Sequence, residues 1–299
     1  MTLTLIRTKL GEPMKAKTAK RLRSARYHIL WHLVLILFAL LFMLPLVFMV
    51  TTALKGAEER ILYTSFFDMF WVRYPQWDNF VEIFRVIPFF RYAFNSLVVA
   101  GLSTIGIVFS SAFVAYSLSK IDWPGKNLIF SIILITMMIP LQVMQIQSFI
   151  LFDRLGWVNT WLPLIVPSFL GGGAFNIFLV RQFFRSVPNS ILESARMDGC
   201  NEYRIWLTIM IPLSAPVMAT VAIMAFLFNW NDFMGPLIYI INPNLMTLQL
   251  ALRNFRRESG TQWGLLMTGS ILSILPVLLL FAFFQKYFIQ GIKTSGMKM

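Results

Sequence analysis

The sequence predicts an all-α polytopic membrane protein with six transmembrane helices and both termini inside. Three observations carry that prediction. First, 58% of the 299 residues are hydrophobic and only 13% are charged, with a mean hydropathy of +0.70. A soluble domain of this length needs far more polar surface. Second, apolar runs recur at 29–52, 93–117, 127–150, 160–180, 213–231 and 264–285. Each is close to the roughly 20 residues that cross a hydrocarbon core as helix. Third, with the amino terminus inside, the inward segments hold 17 Lys and Arg against 9 outside, for net charges near +12 and +1. The positive-inside rule therefore favours this orientation. The net charge of +13 reflects topology and lipid headgroup contact, and nucleic acid is not an expected partner.

Along the chain, residues 1–28 form a basic tail, and "KAKTAKRLRSAR" directly before a span suits an anchor on anionic lipid. The long polar lead and long first run predict a retained span, with no cleaved signal peptide. Residues 29–92 hold the first span and an external segment. His28 and His32 lie four apart and share a helical face, as a metal pair does, but no third ligand stands nearby. Interfacial histidines are the better account, and no metal site is predicted. The single Cys200 excludes an internal disulfide.

No run carries an Asp, Glu, Lys or Arg in its interior. Ion-coupled transporters use such groups as relays, so self-powered coupling is disfavoured, with backbone carbonyls as the remaining route for Na⁺. Polar neutral residues do occur: Asn95, Ser96, Ser103, Thr104, Ser110 and Ser111, then Gln142, Gln145, Gln147 and Asn176. Ser and Thr read as helix packing. Asn and Gln amides both donate and accept, which suits an uncharged hydroxylated ligand. Trp230 between Asn229 and Asn231 adds a flat apolar face of the kind sugars stack on, and an interfacial tryptophan explains it equally well. These three residues are the candidate translocation path. Pro45, Pro140, Pro167 and Pro276, with Gly171, Gly172 and Gly173, supply bends. Gly125-Lys126 is followed by Asn127 and lacks the upstream glycine of a phosphate loop. No catalytic constellation is visible, so energy for any pumping comes from elsewhere.

Between spans four and five lies "ESARMDGCNEYRIWLTIMIPLSAP". Ser190 and Glu193 have capping-box spacing, which predicts a short helix from 191 to about 198. Gly199 stands where a left-handed residue closes a helix. A second helix begins near Asn201 and carries Ile205, Trp206, Ile209 and Met210. Pro212 is expected to push Ile211 out of the helical state. Ser214 then caps the fifth span, with Pro216 in its first turn. Two short helices joined by a glycine elbow suit a lever that takes force from a docked protein. An amphipathic hairpin lying on lipid has the same periodicity.

The hairpin resembles the EAA loop of ATP-binding cassette (ABC) importer permeases. Glu193, Ala195, Asp198, Gly199 and Pro212 match that signature, while Ser194, Cys200 and Ile211 depart from it. "RYAFNSLVVA", "AFNIFLVRQFFRSVP", "FNWNDFMGPLIYI" and "FFQKYFIQGIKTSGMKM" resemble the carbohydrate importer class, specifically the smaller membrane subunit of maltose-type systems. The resemblance covers nearly everything after residue 28. It implies a transmembrane domain over 93–288, with the EAA loop at 189–212 and a cytoplasmic tail at 289–299.

The resemblance further implies a multi-pass subunit of the bacterial inner membrane that is not itself an enzyme. Its expected partners are a homologous second permease, two cytoplasmic ABC ATPases that bind ATP and Mg, an extracytoplasmic solute-binding protein, an oligosaccharide and membrane lipid. The coupling residues would be Glu193, Ser194, Ala195, Arg196, Met197, Asp198 and Gly199. The segment 243–263 would enter the binding protein's cleft. It carries Arg253, Arg256 and Arg257 against Glu258 alone. These arginines suit lipid phosphates, acidic residues of the binding protein, or an acidic cargo such as a uronate oligosaccharide or a sugar phosphate. The binding-protein form is favoured, because neutral oligosaccharides are the commoner cargo of the family. An ion-coupled transporter or channel, and a membrane-embedded enzyme, are the rival classes.

Overall fold

A computed structural model describes residues 14–56, 59, 65–257 and 260–296. The start of the basic tail (1–13), Glu258 and the last three residues of the C-terminal tail lie outside the described residues, as do the side chains of residues 14–26 and 284–296 and that of Arg257. The chain divides into two compact units, 1–76 and 77–299.

In the first unit, helix α1 (Met14–Leu54) runs straight through Pro45. Beyond it, a 3₁₀ turn at Phe67–Met69 is drawn back to the helix end. The Thr51 hydroxyl donates to the Met69 carbonyl at 3.1 Å, and the buried Lys55 ammonium donates to Met69 at 3.0 Å and to the Asp68 carbonyl. Burial pulls the Lys55 pKa below its ordinary value.

The second unit begins with α2 (Asn79–Val86) and is organised around α3 (Phe89–Lys120). Then come α4 (Lys126–Thr136), α5 (Leu141–Arg154), α6 (Leu162–Ile165) with a 3₁₀ turn over Val166–Phe169, and α7 (Ala174–Ser186). The hairpin supplies α8 (Asn189–Met197), α9 (Glu202–Ile205) and α10 (Ile211–Leu213). Next are α11 (Ala215–Trp230), α12 (Met234–Tyr239), α13 (Leu248–Leu252) and the long α14 (Trp263–Gly296). A two-residue antiparallel bridge, Arg256–Arg257 with Gly260–Thr261, precedes α14 and is the one strand pair among the described residues.

Four described helices are long and apolar enough to cross a membrane: Tyr27–Leu54, Phe89–Lys120, Leu162–Ser186 and Trp263–Phe283. The pair Glu202–Leu213 and Ala215–Trp230, bent by 82°, makes a fifth if counted as one span. The expected third run, 127–150, differs from its single helix. Pro140 has extended ψ and holds the residue before it out of helix, so α4 and α5 are separate short helices. The α14 helix continues through residue 289 to Gly296, past the expected start of the tail.

Two apolar clusters fix α3, α7, α11 and α14. One, at the hairpin end, gathers Ala112, Tyr116, Phe184, Leu192, Ile205 and Val221. The other, at the opposite end of α11, gathers Ile83, Tyr92, Phe226, Trp230, Leu252 and Phe255. Hydroxyls knit the helices as expected. Ser103 donates to the Leu164 carbonyl at 3.0 Å, and Ser110 donates to Ser168 at 2.9 Å. Gly171, Gly172 and Gly173 all have positive φ and turn the chain into α7. At Gly172 close approach adds to the demand: a Cβ would lie 2.5 Å from the Ile107 carbonyl oxygen and 2.8 Å from Ser111.

Candidate functional site

The hairpin follows Pro188, whose extended ψ of 136° starts α8 at Asn189. Ser190 therefore lies inside the first turn and not at its cap. No side-chain capping bond forms there, and the expected box with Glu193 is corrected. The elbow is as read. Gly199 has φ +83°, its N–H donates to the Arg196 carbonyl at 3.0 Å, and the Cys200 N–H donates to Ala195 at 3.0 Å. These two bonds make a Schellman closure. Asn201 caps α9 by accepting the Arg204 N–H at 2.8 Å.

Pro212 acts differently from the expectation. Ile211 remains helical, at φ −61° and ψ −51°. The turn before it widens into a π-turn over Trp206–Met210, closed by the Ile211 N–H on the Trp206 carbonyl. A proline has no N–H for the turn beneath it, and one wide turn accommodates that without ending the helix. The break comes at Ser214 (ψ 13°), which holds the cap position without making the capping bond. Its buried hydroxyl has no partner among the described residues.

The faces of α8 divide cleanly. Leu192 and Ala195 are buried in the first cluster. Glu193, Ser194, Arg196, Met197, Asp198 and Gly199 are exposed, with Met197 at 88%. Of the seven expected coupling residues, six thus form one open ridge and Ala195 anchors it.

Three residues that sequence reasoning missed hold this hairpin, and a fourth, Arg181, braces the neighbouring helices. Glu202 accepts from Arg196 Nε at 2.7 Å and from the Tyr116 hydroxyl at 2.5 Å, tying the elbow to α3. The Glu202 bond pushes the Arg196 pKa up from its ordinary value. Lys120 Nζ donates to the Val187 carbonyl at 2.6 Å and to Asn189 Oδ1 at 2.8 Å, fixing the hairpin's entry. Arg181, only 7% exposed, donates to the Leu118 carbonyl at 3.1 Å and lays its guanidinium 3.8 Å from the Phe130 ring centroid. Acidic and basic residues at such separations carry no local signal of pairing.

The other candidates lie at the far end of α11. Trp230 is buried, donates to the Ser273 carbonyl at 3.1 Å and stacks on Phe226 at 5.6 Å, so its ring joins helices inside the chain. The amides of Asn229 and Asn231 bond carbonyls of their own helix, Ala225 at 2.7 Å and Leu227 at 2.8 Å. Asn95 is used internally as well, donating to Asn244 and Met246 carbonyls at 2.9 and 2.8 Å. Arg253 and Arg256 are exposed. His32 bonds the His28 carbonyl of its own helix at 2.6 Å.

Residues 108–294 match the family model described as "Binding-protein-dependent transport system inner membrane component". The chain belongs to this family. Among its relatives is the arabinooligosaccharides transport system permease protein AraQ of Bacillus subtilis, 34% identical over 91% of this chain and 96% of that protein. Another is the probable ABC transporter permease protein YurM of Bacillus subtilis, 32% identical over 85% of this chain and 83% of that protein. The fold resembles a chain of a bacterial ABC transporter involved in import of the acidic polysaccharide alginate. There the TM-score is 0.75 at 22% identity, over 89% of this chain and 98% of the other. The matched region of this permease includes the whole hairpin and its ties to Tyr116 and Lys120.

Proposed function

We propose that the chain is a permease subunit of an ATP-driven importer of oligosaccharides, forming half of the translocation pathway. The hairpin over residues 189–213 is the coupling element: ATPase closure pushes its exposed ridge and switches the spans between inward and outward access. The observation that carries this reading is the division of α8, with Leu192 and Ala195 sunk into the span cluster and six ridge residues open. A hairpin lying on lipid would turn its apolar face outward. Here Leu192, Ile205, Trp206 and Met210 are packed against the protein's own spans, while Ile191, Met197, Tyr203, Leu207 and Leu213 are exposed.

Both termini are then inside, and the hairpin meets the ATPase in the cytoplasm. The partners are a second homologous permease, two ATPases that bind ATP and Mg, and an external solute-binding protein. The permease relatives named for arabinooligosaccharides and for ABC transport support this assembly and the cargo class. Asn229 and Asn231, flanking Trp230, belong to the path, with their cargo contacts shared with the second permease.

The test is affinity purification of the tagged chain from detergent-solubilised membranes of its native host. An ATPase and a second permease should co-purify, and sugar uptake should stop when the ATPase is inactivated. Recovery of the chain alone, with uptake independent of any ATPase, overturns the proposal.

A further inference from the structure

At the end of α11 opposite the hairpin lies a pocket of about 320 Å³. Its walls include Arg253, Arg256, Gln249, Ser270, Trp263 and Leu266. This volume is within the span of roughly 300–1,000 Å³ usual for small-molecule sites. The arginines thus form part of a concave wall.

The fold builds that wall. Phe255, 1% exposed, sinks into the second cluster and pins the 3₁₀ turn Arg253–Phe255 that carries Arg253. The Phe255 carbonyl accepts the Gln262 N–H at 2.9 Å, which closes the ribbon beginning at Arg256 against the start of α14. Trp263, 47% exposed, stands at the rim, and Leu266 is buried beneath.

The chemistry selects a class of ligand. No lining residue is acidic, and neither arginine has an ion-pair or hydrogen-bond partner among the described residues. Two guanidiniums with no acidic partner among the described residues, in one concavity, focus positive potential. Each presents a planar fork that matches a carboxylate in bidentate fashion. The Trp263 face suits the apolar side of a pyranose ring, and Gln249 and Ser270 supply donors and acceptors for hydroxyls.

Resting on the reading of the chain as a sugar importer's permease, we propose that this pocket binds a carboxylate-bearing unit of an acidic oligosaccharide, with Arg253 and Arg256 on the carboxylate and Trp263 against the ring. A neutral sugar reaches the ring and hydroxyl contacts but leaves both forks unused.

The whole importer, purified in detergent, tests this by calorimetric titration with trisaccharides of galacturonate, mannuronate and guluronate. Their methyl esters and maltotriose serve as controls. At least one uronate should bind tenfold or more tightly than its own ester, and R253Q/R256Q should remove that preference by weakening uronate binding more than ester binding. R253K/R256K should restore only part of it, because an ammonium lacks the fork. Three results overturn the proposal: no detectable uronate binding, equal binding of acid and ester, or a preference that survives in R253Q/R256Q. So does a variant whose only defect is weaker, less salt-dependent stimulation of ATP hydrolysis by binding protein with every sugar, which would assign the arginines to the binding protein instead. Subunit recovery is scored separately: loss of the partners in wild type defeats the importer reading, whereas intact assembly without acid preference defeats the pocket alone.

Discussion

Gly199→Leu separates the hairpin's own stability from its role in docking. The backbone at this position has φ +83°, and a side chain there incurs about 1–2 kcal/mol of left-handed strain. Nothing within 4 Å of an added Cβ belongs to this chain, so intramolecular clash contributes little. The two elbow bonds, each 3.0 Å, oppose relaxation of the turn. Strain of that size shifts the local equilibrium by roughly 5–30-fold and leaves Leu192 and Ala195 seated in their cluster. The variant should therefore reach the membrane in normal amount. Its added bulk meets no neighbour in this chain and, under the proposed docking, would face the ATPase, so uptake and ATPase co-purification should both collapse. Uptake is measured in whole cells against the tagged chain's membrane level. Wild-type uptake in Gly199→Leu would refute the assignment of this elbow to coupling.

Other variants probe neighbouring links. Asp198 sits at the carboxyl end of α8, where a negative charge opposes the helix dipole by about 0.3–1 kcal/mol. Asp198→Lys should stabilise the hairpin slightly yet lower ATPase recovery, and unchanged recovery would make Asp198 solvated surface only. Glu202→Gln weakens the tie to Arg196, a partly exposed pair worth under about 1 kcal/mol, and keeps an acceptor for Tyr116. Assembly should persist while more ATP is hydrolysed per sugar imported, and an unaltered ratio would argue against a strut at this position. Gly172→Ala places a Cβ 2.5 Å from the Ile107 carbonyl in addition to positive-φ strain. The yield of detergent-stable chain should fall sharply, and wild-type thermal stability would contradict the close approach of this turn to α3.

Features whose cause lies within a few neighbouring residues were legible in the sequence. The elbow at Gly199 and the start of the second helix near Asn201 depend on local backbone geometry and appear as read. The capping box failed because Pro188 starts the helix before Ser190, so the same residues occupy other positions. Pro212 was misread because a π-turn is not visible in hydropathy or propensity. The run 127–150 carries no charged residue and is mostly apolar, and hydropathy does not register the break that Pro140 imposes. Trp230 shows the wider limit. Its stack on Phe226, four residues earlier on α11, is local, but the burial and the indole bond to the Ser273 carbonyl of α14, 43 positions away, are not visible in the segment. The Glu202, Tyr116 and Arg196 cluster joins residues up to 86 positions apart, a separation that leaves no mark on either local segment.

The 82° bend at Ser214 gives the fifth pair the geometry of a bell crank. Its short arm, Glu202–Leu213, is about 18 Å long and its long arm, Ala215–Trp230, about 24 Å, at 1.5 Å per helical residue. Rotation about the corner turns a push across the short arm into a sweep of the long arm's tip, larger by the ratio of lengths, about 1.3. The direction of travel also turns through nearly a right angle. That tip is Trp230, which bonds the Ser273 carbonyl of the last helix. If the hairpin is pushed as proposed, a nudge there would arrive at the opposite end of the helix pair amplified, redirected and already attached to a second span.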